Sequence, residues 1–294
     1  MNKLRFGYAL SPFGAAEDAV DLAVRAELAG FDAVTIADLP RGLSPLLTLT
    51  AVAQHTSTIT LSPFVINTGL WNPATIGRDL ATLHRISGGR LDVALGSGIP
   101  QPLVAELVPP TRDLRFERLV ETVRAVKATF EDAGITPGYG DTVPRMLVAG
   151  ASERVLRLAA EETGGFIIAA VPPVPKVSLP PGHMVLPERD ATAAYLDRLR
   201  GYAGDGADDF EIGVGAPVTL THDLEAKAKE LAEIHSYLEP RQVLASPKLL
   251  VGDIDSLAAQ IVERRDSLGI TYTVMRGPTP EELAPVLAAA RAQR

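Results

Sequence analysis

The strongest constraint on this chain is a rhythm. Short apolar runs return at intervals of a few tens of residues, and a helical stretch fills nearly every interval. The runs are Leu4 to Leu10, Phe31 to Ile36, Ile59 to Ile66, Leu91 to Leu95, Met146 to Ala149, Phe166 to Val171, Phe210 to Leu220 and Thr271 to Met275. Runs this short that alternate little suit strands buried on both faces, as in parallel sheets covered by helices. Between the first two, Ala19, Leu22, Ala23, Ala26 and Ala29 recur at helical spacing, and Gly30 supplies a stop. Further on, Pro45 to Gln54 follows Ser44 and Pro73 to His84 follows Asn72, each a helix behind a capping residue. Phe116 to Phe130 lines up Leu119, Val123, Val126 and Phe130, with Gly134 as its closing residue. Arg154 to Glu162 is stopped by Gly164 and Gly165.

Strands joined through helices run parallel with right-handed crossovers. Eight such units favour closure into a (β/α)8 barrel, an α/β fold; an open doubly wound sheet is the alternative. The 294 residues fit one such domain over positions 1–294. Two regular helices, Ala191 to Tyr202 and Leu224 to Leu238, flank the seventh run, and two more, Leu257 to Leu268 and Glu281 to Ala290, flank the eighth. One segment breaks the rhythm after the sixth run. Pro172 to Pro187 holds six prolines and no periodicity, so it reads as a binding loop, a lid or a stiff connector.

Composition removes several function classes. There is no cysteine, so no disulfide or thiolate metal site is available. A net charge of −8 disfavours general affinity for nucleic acid or anionic membranes. The opening MNKLRFGYAL is too short an apolar run for a signal peptide, and no run approaches the ~18 residues of a membrane helix. The default expectation is a cytoplasmic protein acting on a small molecule. Its five histidines show no metal-binding spacing, and there is no nucleophile elbow, Walker loop or G-x-G-x-x-G fingerprint.

In α/β barrels the site is built from loops at the carboxyl ends of the strands. Those positions here are Ser11, Asp38, Asn67 and Thr68, Gly96-Ser97-Gly98, Gly150-Ala151-Ser152 and the proline-rich segment. Glycine and hydroxyls dominate, which suggests a large cofactor held by backbone contacts rather than paired carboxylates. Gly96-Ser97-Gly98 reads as a loop where backbone approaches a ligand, or as a tight turn leaving a strand. Gly150-Ala151-Ser152 opens a helix, so its N–H groups form a phosphate cradle, or Ser152 is an N-cap alone. Asp38 is the one acid near a strand end in the first half: a cofactor or proton-transfer residue, or a solvated turn aspartate.

Together these residues resemble the luciferase-like monooxygenase superfamily, in particular its branch that uses the deazaflavin coenzyme F420. The resemblance rests on DLATLHRISGGRLDVALGSG (from Asp79), AELAGFDAVTIAD (Ala26 to Asp38), FERLVETVRAVKATF, PRMLVAGASERVLRLAAEETGGF and LLVGDIDSLAAQIVERRDSLGITYTVM, in order along nearly the whole chain. It implies a (β/α)8 barrel with an insertion near the proline-rich segment, a homodimer, and hydride transfer or flavin-based oxygen activation. The implied cofactor is F420, with FMN as the alternative. Asp38, Asn67, Thr68, Gly96, Ser97, Gly98, Gly150, Ala151 and Ser152 are the expected contacts to ring and phosphate tail, and Asp38 the expected catalytic residue. In the family the Asn67-Thr68 region often carries a bulge with a non-prolyl cis peptide. Two positions depart from it: Leu39 stands where many members have histidine, and Ile99 where some have glutamate. These are the usual proton-handling positions, so reduction with a changed donor such as Asp38 or Tyr8, or a silent cofactor binder, are all compatible.

Overall fold

A computed structural model describes residues 3–98, 106, 108–131, 143–180, 183–207 and 209–293. Its centre is a parallel barrel. β1 (Arg5–Leu10) pairs with β2 (Ala33–Ile36), and β2 with β3 (Thr60–Pro63). On its other side β1 pairs with β10 (Ile270–Arg276), which pairs with β8 (Glu211–Leu220). The series continues through β7 (Gly165–Ile168), β6 (Arg145–Gly150) and β5 (Asp92–Gly96) to β4 (Ile66–Asn67). β3 and β4 are two pieces of one barrel strand, separated at a cis Phe64–Val65 peptide. The ring closes where Leu61 bridges to Leu91 and Ile66 pairs with Leu95. Counting β3 and β4 together, the eight expected apolar runs are the eight barrel staves, and the barrel rather than the open sheet is the architecture.

The helices stand outside: α1 (Ala16–Leu28), α2 (Pro45–Ala53), α3 (Pro73–Ile86), α4 (Arg112–Glu131), α5 (Glu153–Glu162), α6 (Arg189–Ala203), α7 (Leu224–Ile234), α8 (Pro240–Ala245), α9 (Ile254–Leu268) and α10 (Pro280–Ala292). Asn72 caps α3 as expected, its side chain accepting from the N–H groups of Ala74 and Thr75. Ser44 occupies the cap position of α2 without a side-chain cap bond. α4 begins one turn before Phe116, and Gly134 lies outside the described residues. The expected helix over 224–238 stops at Ile234; α8 and a short strand, β9 (Leu250–Gly252), follow it. β9 pairs with the far end of β8. These elements enclose a satellite core of Leu186, Leu231, Leu238, Val243, Leu249 and Val251. Of the proline-rich segment, the described residues form neither helix nor strand.

Strand periodicity sorts the interior into two layers, because successive side chains point to opposite faces. Phe6, Tyr8, Leu10, Val34, Ile36, Val93, Leu95, Val148, Phe166, Ile168, Ile212 and Val214 face outward and pack beneath the helices. Their neighbours face the barrel axis, where Ala33, Ala94, Leu147, Ala149, Ile167, Tyr272 and Val274 form a separate cluster. Three of these seven axial residues are alanines. The largest is Tyr272, fully buried between Gly7 and Gly213, whose missing Cβ atoms leave room for its ring. Below it the strand starts carry charge: Arg5 pairs with Asp92 and Glu211, Arg145 pairs with Glu211, and the Arg5 guanidinium lies 4.5 Å from the centre of the Tyr272 ring. The N-terminal end of the barrel is thereby closed.

Candidate functional site at the carboxyl end of the barrel

Ladder register sets the site residues at one height. Asn67 pairs with Gly96, Gly96 with Ala149, and Gly150 follows directly. The structure therefore brings Asn67, Thr68, Gly96, Ser97, Gly98, Gly150 and Ala151 to adjacent strand mouths, and Asp38 two residues past the end of β2 joins them.

Asp38 is held firmly. Its Oδ2 accepts from the Asn67 backbone N–H at 3.0 Å and from the Trp71 indole N–H at 2.8 Å. Burial raises the carboxyl pKa above its ordinary value, while the bonds from Trp71 and Asn67 pull the other way. The reading of Asp38 as a solvated turn residue does not survive this geometry. Trp71 follows a short turn that Asn67 shapes by accepting from Gly69 N–H at 3.1 Å, and the Thr68 hydroxyl donates to the Gly96 carbonyl at 3.1 Å. Staves two, three and four are thus tied together at their carboxyl ends. The sequence reading did not single out Trp71. The available signal was that it is the chain's only tryptophan, next to a helix cap.

The glycines are required for a reason other than the one expected. Gly98 has φ +71°, and a Cβ there would lie 1.9 Å from Asn67 Oδ1. At Gly96 a Cβ would meet Val65 Cγ2 at 2.8 Å, and at Gly150 it would meet Val155 Cγ1 at 2.7 Å. All three gaps are filled from within the protein, so glycine serves close packing here and not open approach by a ligand. Gly150-Ala151-Ser152 leads into α5, whose Val155 and Leu156 N–H groups bond to the Ser152 carbonyl. The Ser152 side chain is exposed and makes no cap hydrogen bond, so the hydroxyl is not explained as an N-cap. Glu153 accepts from Tyr202 and pairs with Arg198, while Arg154 turns away to Asp113 and stacks on Phe116.

Above the Ala94, Leu147, Ala149 and Tyr272 layer the barrel opens. Ala9, Phe64, Val65 and Gly215 face its axis yet keep partial exposure, and Ala169 past the end of β7 is exposed. Largely apolar residues thus line the axis at this end. Across it from Asp38 sits a second residue without a sequence signal, Lys248. It is 6 % exposed, and its ammonium donates to the Ala169 carbonyl. Burial, with Arg276 adding to it, lowers its pKa to about 8. Tyr8 is removed as a candidate donor: it faces the helix layer, packs on Phe31 and places its hydroxyl 3.3 Å from the Pro278 carbonyl. Leu39 is partly buried, and Ile99 lies outside the described residues. Among the described residues no group of histidine and acidic side chains could hold a metal ion, and no helix is long and apolar enough to cross a membrane.

Known proteins supply an independent reading. The family described as luciferase-like monooxygenase matches residues 4–260. An F420-dependent glucose-6-phosphate dehydrogenase of Amycolatopsis mediterranei is 27% identical across 94% of this chain and 93% of its own length. A second, from Kineococcus radiotolerans, is 35% identical over a match spanning 40% of this chain and 37% of that protein. Among solved structures, an F420-dependent secondary alcohol dehydrogenase bound to an F420-acetone adduct superposes with a TM-score of 0.73 at 17% identity, covering 98% and 99% of the two chains. A riboflavin lyase bound to modified FMN gives a TM-score of 0.73 at 16% identity, over 99% and 92%. Identities this low speak for the shared barrel.

Proposed function

The chain belongs to the luciferase-like monooxygenase family, and on that footing we propose that it is an oxidoreductase using coenzyme F420 to move a hydride to or from a small organic substrate. The observation that carries the proposal is the arrangement of the strand ends: partly exposed apolar residues about the axis, one pinned carboxylate, and strand-end backbone on the side of α5. An F420-dependent relative aligned with nearly the whole chain gives the cofactor class.

When bound, the coenzyme supplies a ring carbon that gives or takes the hydride. The protein binds and orients. Asp38 presents Oδ1, which no described residue engages, as the oxygen that would accept a hydrogen bond or take up a proton beside the cofactor. Asn67 and Thr68 keep that corner rigid, and Gly96, Ser97 and Gly98 carry the adjoining backbone. Ala151 and Ser152 place backbone and an exposed hydroxyl that makes no cap bond at the positive end of α5, where a phosphate tail would fit. The apolar axial residues would keep water away from the bound ring. The working protein is a cytoplasmic homodimer; light scattering reads the dimer directly.

FMN is the second reading, favoured by barrels of the same shape that hold FMN. Titration of the purified protein with oxidised F420 and with FMN, followed by absorbance and fluorescence, separates the two. Tighter binding of F420 is expected, and a preference for FMN transfers the proposal to flavin monooxygenase chemistry. A catalytically silent binder, suggested by Leu39 and Ile99, is removed by any turnover of reduced cofactor with an acceptor.

A further inference from the structure

The Asp38 carboxylate is gripped on one oxygen only. Oδ2 receives two N–H donors, the Trp71 indole at 2.8 Å and the Asn67 backbone at 3.0 Å, and both hold their protons at any working pH. No partner among the described residues engages Oδ1. A proton arriving at this carboxyl therefore lands on Oδ1, and so does any hydrogen bond from a ligand. The backbone donor is fixed by the fold of the turn, but the indole is a side chain that the sequence is free to choose. Trp71 is itself anchored: its carbonyl accepts from Arg118 at 3.2 Å, Arg118 pairs with Glu121, and the indole packs against the helix-side core. Burial raises the Asp38 pKa, and the bonds from Trp71 and Asn67 oppose it. Trp71 is thus the one replaceable group opposing the effect of burial.

We propose that Trp71 is a positioning residue that orients Asp38 and sets the pH at which it takes up a proton, leaving Oδ1 as the single working oxygen of the site. This rests on the reading of Asp38 as a site residue, but it can be tested on the protein without any cofactor. Trp71 is the only tryptophan in the chain, so the intrinsic indole fluorescence comes from this one place, next to Asp38.

The experiment is a fluorescence titration of the cofactor-free protein across the acidic range, with far-UV circular dichroism verifying that it stays folded. One transition is expected, with its midpoint above the ordinary aspartate value, and it should vanish in Asp38→Asn. A transition that persists in Asp38→Asn, or the lack of any transition in the parent protein, overturns the proposal. In Trp71→Phe, the Asp38 carboxyl is followed by carbon NMR against an Asp38→Asn control. Its midpoint should move up by about one pH unit, the size expected for loss of a hydrogen bond to a charged acceptor. An unmoved midpoint would mean that Trp71 only fills space. Failure of F420 and FMN to bind would defeat the proposed function and leave both of these measurements intact.

Discussion

The two ends of the barrel carry similar kinds of residue and treat them in opposite ways. At the N-terminal end, Arg5, Asp92, Glu211 and Arg145 come from four staves and neutralise one another beneath Tyr272. A cleft of about 600 Å³ opens there, lined by Arg5, Arg145, Asp32 and Glu211 among others. Arg5, Arg145, Asp32 and Glu211 there already have partners of opposite charge. At the carboxyl end, Asp38 meets only uncharged donors and Lys248 donates to a carbonyl. Charges left without counter-ions in a sheltered place are costly, and they are kept where a substrate or cofactor completes them. One end holds the barrel shut and the other is poised for binding, which is the division of labour of α/β barrels generally.

Breaking the closed end should have the largest effect on stability. Arg5→Met leaves Asp92 and Glu211 sheltered with part of their countercharge gone, and should cost about 3 kcal/mol in urea denaturation while cofactor affinity of the folded protein stays within twofold. A large affinity loss at full stability would erase the distinction between the ends. Gly98→Val attacks the open end through packing. Its Cβ collides with Asn67 and φ +71° is strained for a branched residue, so a loss of about 2 kcal/mol or more is expected together with lost cofactor binding. Unchanged stability would show that the loop can move away from Asn67.

Lys248→Met should move stability the other way, by about 1–2 kcal/mol in favour of folding at pH 7, because a sheltered cation with no carboxylate partner among the described residues is replaced by an apolar chain. The sign with pH follows from a folded pKa of about 8 against the ordinary lysine value of 10.5. Between those values the unfolded chain binds more protons, so the parent protein gains stability as pH rises from 8 towards 10.5, and Lys248→Met should lack that gain. Melting temperatures across this range provide the comparison. The smallest structural effect belongs to Asp38→Asn, whose amide oxygen still accepts from Trp71 and Asn67. Stability should stay within about 0.5 kcal/mol, while turnover with the preferred cofactor falls by about 10²-fold. Unfolding would reassign Asp38 to structure.

The closed end was partly legible before any coordinates. Arg5, Asp92, Arg145 and Glu211 each sit at the start of an apolar run, and strand starts gather at one end of a parallel barrel. The open end was legible in outline: Asp38, Asn67 and Gly96-Ser97-Gly98 follow run ends, and register does place Asn67 opposite Gly96. Its logic was not. Gly98 looks from its flanks like a place for bare backbone, yet the space it leaves is taken by an amide thirty-one positions earlier in the chain. The split of the third stave at the cis Phe64–Val65 peptide was legible only in part: the family resemblance implies such a peptide near Asn67-Thr68, and Ser62-Pro63 stands just before the break, but neither fixes where the strand divides. The satellite elements α8 and β9 are too short to show a period of their own.

By itself the sequence determined the alternation of strand and helix, the count of eight staves and the end at which a site must form, because each follows from patterns within ten or twenty residues. Tertiary structure alone decided that Trp71 reaches Asp38, that Asn67 fills the space at Gly98 and that Lys248 is sheltered beside Ala169. Those are meetings between side chains far apart in sequence, and no local period records the distance at which two staves bring them together.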